Sequence, residues 1–464
     1  MEQPIPTPTT VIAHRWLVAR RAAEATFEVP LSQLRRLRRL RLRLGPLARP
    51  LMILSFLGPG LIAANAGNDA GAVATWASIG ARYGYALLWA LVVVTVALAV
   101  VQEMCARMGA ATGEGLSDLI RERFGVRGAA FAMTTLFVAN ALVTISEFAG
   151  MAAASELFGI PRFVTVPLAA VGIWFVITRG SYERVEKIFL VMALAFFTYP
   201  IAAIMAHPNW GDVLYHTVVP AVQLNSTYFL LLVGAVGTTI TPYMQLYIQS
   251  SVAEKGVTME DYGHERLETY GGSIFAAVVV ASIVIATGAT VYAASGGQGA
   301  VINDATQAAQ ALRPFLGAAA PVLFAVGLLG ASLLAAAVVP LSTAYSVSES
   351  FGFERGVSHS FREAPIFNGL FTGMIALGAL VALIPGLPLI GLIIAAQIVN
   401  GVLLPILLFF ILRLVNDRRV MGKYVNSRAQ NVIAWGITIV LSLLSALMIA
   451  SIVLPAVGIP FLQG

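Results

Sequence analysis

Apolar runs of about twenty residues follow one another from Leu51 to Pro455 with only short polar interruptions. A helix of about that length crosses the hydrocarbon of a bilayer, so the chain reads as a polytopic membrane protein. Charged residues are 11% of the sequence, against about 25% in an ordinary soluble domain. A surface so poor in charge cannot face water, which excludes a soluble enzyme. The runs are rich in Ala, Leu and Val and lack the strict alternation over about ten residues that marks a membrane β-barrel. They are therefore helices, and we count eleven, at about 51–79, 85–108, 129–157, 164–178, 188–205, 228–252, 271–294, 318–347, 366–384, 388–414 and 432–454.

Charge gives the orientation. Of the 29 Lys and Arg residues, all but Arg82, Arg162 and Arg313 precede the first run or fall in loops on one side of the alternating path. The positive-inside rule places that side, and the N-terminus, in the cytoplasm. Eleven crossings of the cell (inner or plasma) membrane then leave the C-terminus outside. Residues 1–49 form an arginine-rich segment in which Arg35 to Arg43 interleave with Leu34, Leu37, Leu40, Leu42 and Leu44. That pattern suits a helix lying on the anionic lipid of the inner leaflet; an orientation signal alone is the simpler reading. The single cysteine, Cys105, excludes an intramolecular disulfide and a cysteine-based metal site. No Gly-Lys-Ser/Thr loop is present, so ATP is not an expected partner. Nucleic acid is not one either.

Two runs are interrupted near their middles. Gly67-Asn68-Asp69-Ala70-Gly71 divides the first, and the stretch from Gly234 to Pro242 divides the sixth. Runs one and six are five apart. They are matching members of two five-helix halves in an inverted repeat, with repeat one at about 50–206, repeat two at about 226–415 and an extra helix at about 431–455. Broken helices at matching positions point to a transporter site at the bilayer midplane. Unwound backbone is tolerated in a membrane only where it lines a cavity or meets a ligand. Asp69 sits in the first break, and an ionisable residue at that depth is a functional candidate. Its simpler role is to cap the half-helix that follows, and for Pro242 the simpler role is a kink.

These residues resemble the Nramp family of divalent-metal transporters over nearly the whole chain after Leu51. The resemblance rests on Gly58-Pro59-Gly60, Asp69-Ala70-Gly71-Ala72 in place of an Asp-Pro-Gly-Asn motif, and Gln102 through Arg107-Met108-Gly109 to Thr112-Gly113. Arg184-Val185-Glu186-Lys187 and Asp417-Arg418-Arg419-Val420-Met421-Gly422 also match. It implies the inverted-repeat fold of sodium-coupled amino-acid transporters and alternating access to a midplane metal site. Three departures stand out. The family's Met-Pro-His reads Thr241-Pro242-Tyr243, its helix-one Asn is Ala72, and the aspartate beside Glu147 is Thr144. Sulfur gives way to oxygen and two proton-route groups are lost, a combination similar to the Nramp-related magnesium transporter branch.

By motif position the resemblance implies that Asp69 is the anionic ligand, that Ala66 and Thr238 offer backbone carbonyls, and that Thr241 offers its hydroxyl. Gln397 would approach the ion as the site closes. Ala72 would line the cavity, with Glu147, Tyr243, Asn68 and Thr144 around it. Glu103 and Arg107, four apart, read as an ion pair. One carboxylate among carbonyls and hydroxyls suits Mg²⁺, which is hard and keeps several waters, and Mn²⁺ accepts the same oxygens. The expected function is secondary-type import of Mg²⁺, with Mn²⁺, without a need for proton coupling. The metal is cargo and no cofactor is expected. A proton-coupled Mn²⁺/Fe²⁺ importer is the competing reading. An amino-acid carrier is opposed by Asp69, and a membrane enzyme by the lack of a catalytic cluster.

Overall fold

The computed structural model describes residues 68–179, 198–303, 305–310, 317, 320–357 and 359–456. Among them the regular structure is helical throughout. In chain order the helices are α1 (Ala70–Tyr83), α2 (Leu88–Thr112), α3 (Leu116–Leu157), α4 (Arg162–Arg179), α5 (Thr198–Met205), α6 (Trp210–Val218), α7 (Ser226–Thr239) and α8 (Pro242–Glu254). They continue with α9 (Tyr262–Thr287), α10 (Ala305–Gln310), α11 (Ala320–Phe351), α12 (Pro365–Ala382), α13 (Leu389–Val415), α14 (Arg418–Met421) and α15 (Arg428–Ala456). Among the described residues nine helices, counting α7 and α8 as one, are long and apolar enough to cross a membrane. They correspond to nine of the eleven expected runs. The first and fifth runs are described only over α1 and α5. Residues 1–49 and Ala66 lie outside the described residues.

Local chemistry sets several helix ends. Asp69 caps α1 through its side chain, and Gly84, at φ 57°, ends it. Gly113 ends α2 in the left-handed region at φ 71°, where a Cβ is unfavourable. Within α3, Gly125 is non-helical at φ 69° and divides a charged piece, 116–124, from the membrane-spanning piece, 126–157. The apolar run alone placed this start at 129; the earlier piece is helical because Leu116, Leu119 and Ile120 bury one face. The sequence pattern also leaves out α6, a short helix capped by Asn209. His216 lies in its last turn.

The core forms where α3 lies along α11 and α13, α7 along α13, and α9 along α2 and α1. Small residues permit the closest approaches. A Cβ added at Gly237 would sit 2.1 Å from the Gln397 carbonyl oxygen and 2.4 Å from the Gly401 amide nitrogen; one at Gly401 would sit 2.4 Å from the Val233 carbonyl oxygen. The backbones of α7 and α13 therefore touch, as small residues allow in membrane bundles.

Polar ties hold the two ends of the bundle. At the arginine-rich end, Arg107 Nε donates to Glu103 Oε1 at 3.1 Å and Nη1 to the Tyr424 carbonyl at 2.6 Å. Nη2 reaches Asn426, and the Tyr262 hydroxyl donates to Glu103 Oε1 at 2.8 Å. The expected ion pair is present, and it is buried. At the opposite end, Arg162 pairs with Glu156 at 2.6 Å. There the Tyr83 hydroxyl donates to Asn225 at 3.2 Å, and the Tyr83 ring meets Tyr228 edge-on at 5.4 Å.

Candidate metal site

Two non-helical segments meet in the middle of the bundle. One is residues 68–69, ahead of α1; the other is Ile240 and Thr241, between α7 and α8. The second break is narrower than the run from Gly234 to Pro242 suggests. Gly234, Gly237 and Thr238 are helical, and Gly237 serves close packing against α13 instead of unwinding. Pro242 opens α8 at its first turn. It has no amide hydrogen, so the Thr238 carbonyl, four residues earlier, loses the donor a continuous helix would supply. The next orphan, the Gly237 carbonyl, accepts from the Asn400 side-chain amide at 2.8 Å.

Asp69 is fully buried, with extended backbone at φ −73° and ψ −178°. Its Oδ1 accepts from the Ala72 amide at 2.8 Å and from the Thr238 hydroxyl at 3.3 Å. The aspartate thus caps α1 and joins the two breaks. The contact that Thr238 makes with Asp69 runs through its hydroxyl, whereas the motif had singled out its carbonyl. Ala72 lends its amide to the carboxylate. On α3, Glu147 Oε2 accepts from the Ala70 amide at 3.2 Å. Thr144, one turn before Glu147, turns its hydroxyl back to the Asn140 carbonyl at 2.8 Å, and the Asn140 amide donates to Thr343 at 2.7 Å.

Several buried polar atoms in this region have no hydrogen-bond partner among the described residues. They are Asp69 Oδ2, Glu147 Oε1, the Thr241 hydroxyl and both polar atoms of Asn68 and of Gln397. A buried polar group is expected to be paired, so this concentration marks a place built to meet something polar. Gln397 lies flat against Gly71, where a Cβ would come within 1.9 Å of its Nε2. Tyr243 is fully buried on the first turn of α8. Asn68 also borders a small cavity with Gln102, Thr239, Met244 and Ser273.

One further residue belongs beside these. Gln245 Nε2 approaches the Thr241 carbonyl at 3.4 Å, and its Oε1 is buried without a partner among the described residues. Its spacing of four from Thr241 is the signal that brings it to the same face. The described histidines His207, His216, His264 and His359 all lie outside the two breaks.

The family profile "Natural resistance-associated macrophage protein-like" (Nramp) matches residues 60–451. The divalent metal cation transporter MntH of Ralstonia nicotianae is 30% identical, over 84% of this chain and 89% of its own length. The MntH of Deinococcus radiodurans is 28% identical, over 86% of this chain and 90% of its own. In fold, the chain is similar to the crystal structure of the Eremococcus coleocola manganese transporter, with a TM-score of 0.68 at 21% identity and 86% coverage of each chain. It is also similar to Mhp1, a nucleobase-cation-symport-1 family transporter, with a TM-score of 0.54 at 14% identity, over 86% of this chain and 90% of that one. The matched profile, spanning most of the chain, and the transporter fold shared with the manganese transporter structure lead to one assignment: the chain belongs to the Nramp family.

Proposed function

We propose that this protein carries divalent metal cations across the cell membrane by alternating access, and that Mg²⁺ is its principal cargo, with Mn²⁺ also accepted. The observation that carries this reading is the set of buried oxygens at the meeting of the two breaks. Asp69 supplies the carboxylate, with Glu147 behind it on the Ala70 amide, Thr241 a hydroxyl, Thr238 a carbonyl freed by Pro242, and Gln397 and Asn68 amide oxygens. Hard cations select oxygen. Among the described residues, no three His, Cys, Asp or Glu side chains gather to hold a metal, so a bound ion retains part of its water. That favours Mg²⁺, which dehydrates reluctantly.

Import needs no proton partner. An inside-negative potential is worth about 2.3 kcal/mol per charge per 100 mV, and a doubly charged ion gains twice that. Thr144 is neutral and turned back on its own helix, and Tyr243 holds the place of an imidazole. The reading places the arginine-rich end of the bundle, with the N-terminus, in the cytoplasm. Mn²⁺ accepts the same oxygens, which supports it as a second cargo and keeps a main-branch Mn²⁺ importer as the competing reading. Uptake of Mg²⁺ into proteoliposomes holding a Mg²⁺-sensitive dye and a pH dye tests the proposal. Uptake without acidification, abolished in Asp69→Ala, is expected. Mn²⁺ uptake with acidification and no Mg²⁺ entry would replace it with the proton-coupled reading.

A further inference from the structure

A cleft of substantial size lies away from the breaks, at the arginine-rich end of the bundle. It measures about 730 Å³ and is walled by the end of α13, by α14 and by the start of α15, with Arg123 and Phe124 from the charged piece of α3. Arg123, Arg413, Arg418 and Asp417 border it together with Asn416, Asn431 and Trp435. Its one carboxylate is already engaged: Asp417 pairs with Arg123 and accepts the Arg419 amide at 2.9 Å. Arg413 rests over the Phe409 ring, 6.0 Å from its centre. Among the described residues neither Arg413 nor Arg418 has a carboxylate partner. Among the described residues two arginines therefore border the cleft without a carboxylate partner.

The other side of the cleft is apolar. Phe124, Leu412 and the exposed Trp435 line it, and on the helices that carry Leu412 and Trp435 the side chains of Phe409, Val432 and Ile433 are 46%, 74% and 46% exposed. α13 and α15 are both long and apolar enough to span a bilayer, so acyl chains could follow their exposed apolar side chains. Tryptophan favours the level where head groups meet acyl chains. Guanidinium groups bind phosphate with paired, charge-assisted hydrogen bonds, and basic pockets between spans accept anionic head groups. A soluble anion would use the arginines and leave the apolar wall bare. The arginine-rich residues 1–49 carry the wrong charge to fill it.

We propose that this cleft binds the head group of an anionic phospholipid, its phosphate on Arg413 and Arg418 and its acyl chains along α13 and α15. The site is separate from the metal path and joins the peripheral helix α15 to the bundle through a lipid. The test is a thermal melt of the purified full chain in detergent with added phosphatidylglycerol, phosphatidylcholine or inorganic phosphate. Phosphatidylglycerol is expected to raise the midpoint by about 3 °C or more, with at least half of that rise lost in Arg413→Gln/Arg418→Gln. The variant's midpoint in phosphatidylcholine should match the parent's. If the double variant does not fold, Arg418→Gln alone is compared by native mass spectrometry, where phosphatidylglycerol adducts should fall severalfold against the parent. An equal rise with phosphatidylcholine, or a rise or adduct level that the variants retain, overturns the proposal. An equal rise with inorganic phosphate overturns the lipid in favour of a soluble anion.

Discussion

Glu147 Oε2 accepts the amide of Ala70 at 3.2 Å, which sets a second buried carboxylate at the head of the same half-helix that Asp69 caps. The two acids reach α1 from different elements, and the residues bonded to them (Ala70, Ala72 and Thr238) are neutral. A divalent cation between the breaks would balance both. Asp69 reaches Thr238 across the breaks, whereas Glu147 holds the backbone behind them. Asp69→Asn is therefore expected to abolish uptake, and Glu147→Gln to weaken apparent metal affinity by about tenfold, or about 1.4 kcal/mol. Uptake measured against metal concentration distinguishes the two. Equal losses in both would remove the distinction between ligand and support.

Selectivity is expected to follow Thr241. Its hydroxyl is a hard donor with no partner among the described residues. Thr241→Met replaces it with a soft thioether. The ratio of Mg²⁺ to Mn²⁺ uptake should fall about tenfold, read from parallel dye assays in the same vesicles. An unchanged ratio would mean that Thr241 is not a ligand.

The approach of α7 to α13 gives a stability prediction. Gly237→Ala would drive a methyl into the Gln397 carbonyl and the Gly401 backbone. Neither is the tip of a flexible side chain that could swing away. Overpacking of this kind costs about 3 kcal/mol, and the thermal midpoint should drop by several degrees. Gly436→Ala on α15, where nothing lies within 4 Å, is the matched control and should leave the midpoint unchanged.

Acidity at the arginine-rich end sets a pH dependence. Asp118, in the charged piece of α3 outside the membrane, is pushed above the usual carboxylate range by burial and then by the neighbouring Glu349; Arg355 opposes this. Burial also raises Glu114, with Glu122 and Glu349 adding to it. A carboxyl whose folded pKa exceeds its unfolded value favours the fold while protonated. That contribution is full below the unfolded value of about 3.9 for Asp and is lost as pH rises through the folded one. Asp118→Asn removes the loss, so it should raise the thermal midpoint at pH 8 more than at pH 5. A shift independent of pH would point to packing instead.

Much of this was legible in the sequence, and the misses have physical causes. Asp69 stands out because a carboxylate in a long apolar run has no bland explanation as strong as its functional one. Thr241 and Pro242 mark the second break because proline removes a ladder hydrogen bond. Gly234 and Gly237 read as part of that break yet lie inside α7. Glycine in a membrane helix marks either unwinding or close approach, and local sequence does not separate the two. Glu103 and Arg107 show as a pair because they are four apart. Their partners Tyr262, Tyr424 and Asn426 lie far along the chain, so no spacing reveals them or the burial they impose. α6 escapes a search for apolar runs because it is nine residues long and mostly exposed.

The contact of Gly237 with Gly401 limits what can move. Two backbones that touch without side chains between them have no compressible layer, so α7 and α13 cannot slide or tilt against each other by small rotamer changes. They travel together or separate completely. With Asn400 also fastened to the Gly237 carbonyl, they form one lever arm, and Thr238, in the last turn of α7, rides at its tip. Motion at the site then comes down to whether that arm keeps or releases its grip on Asp69. A distance measured by paired spin labels on α7 and α13 should stay fixed through the cycle, while one from α7 to α1 changes.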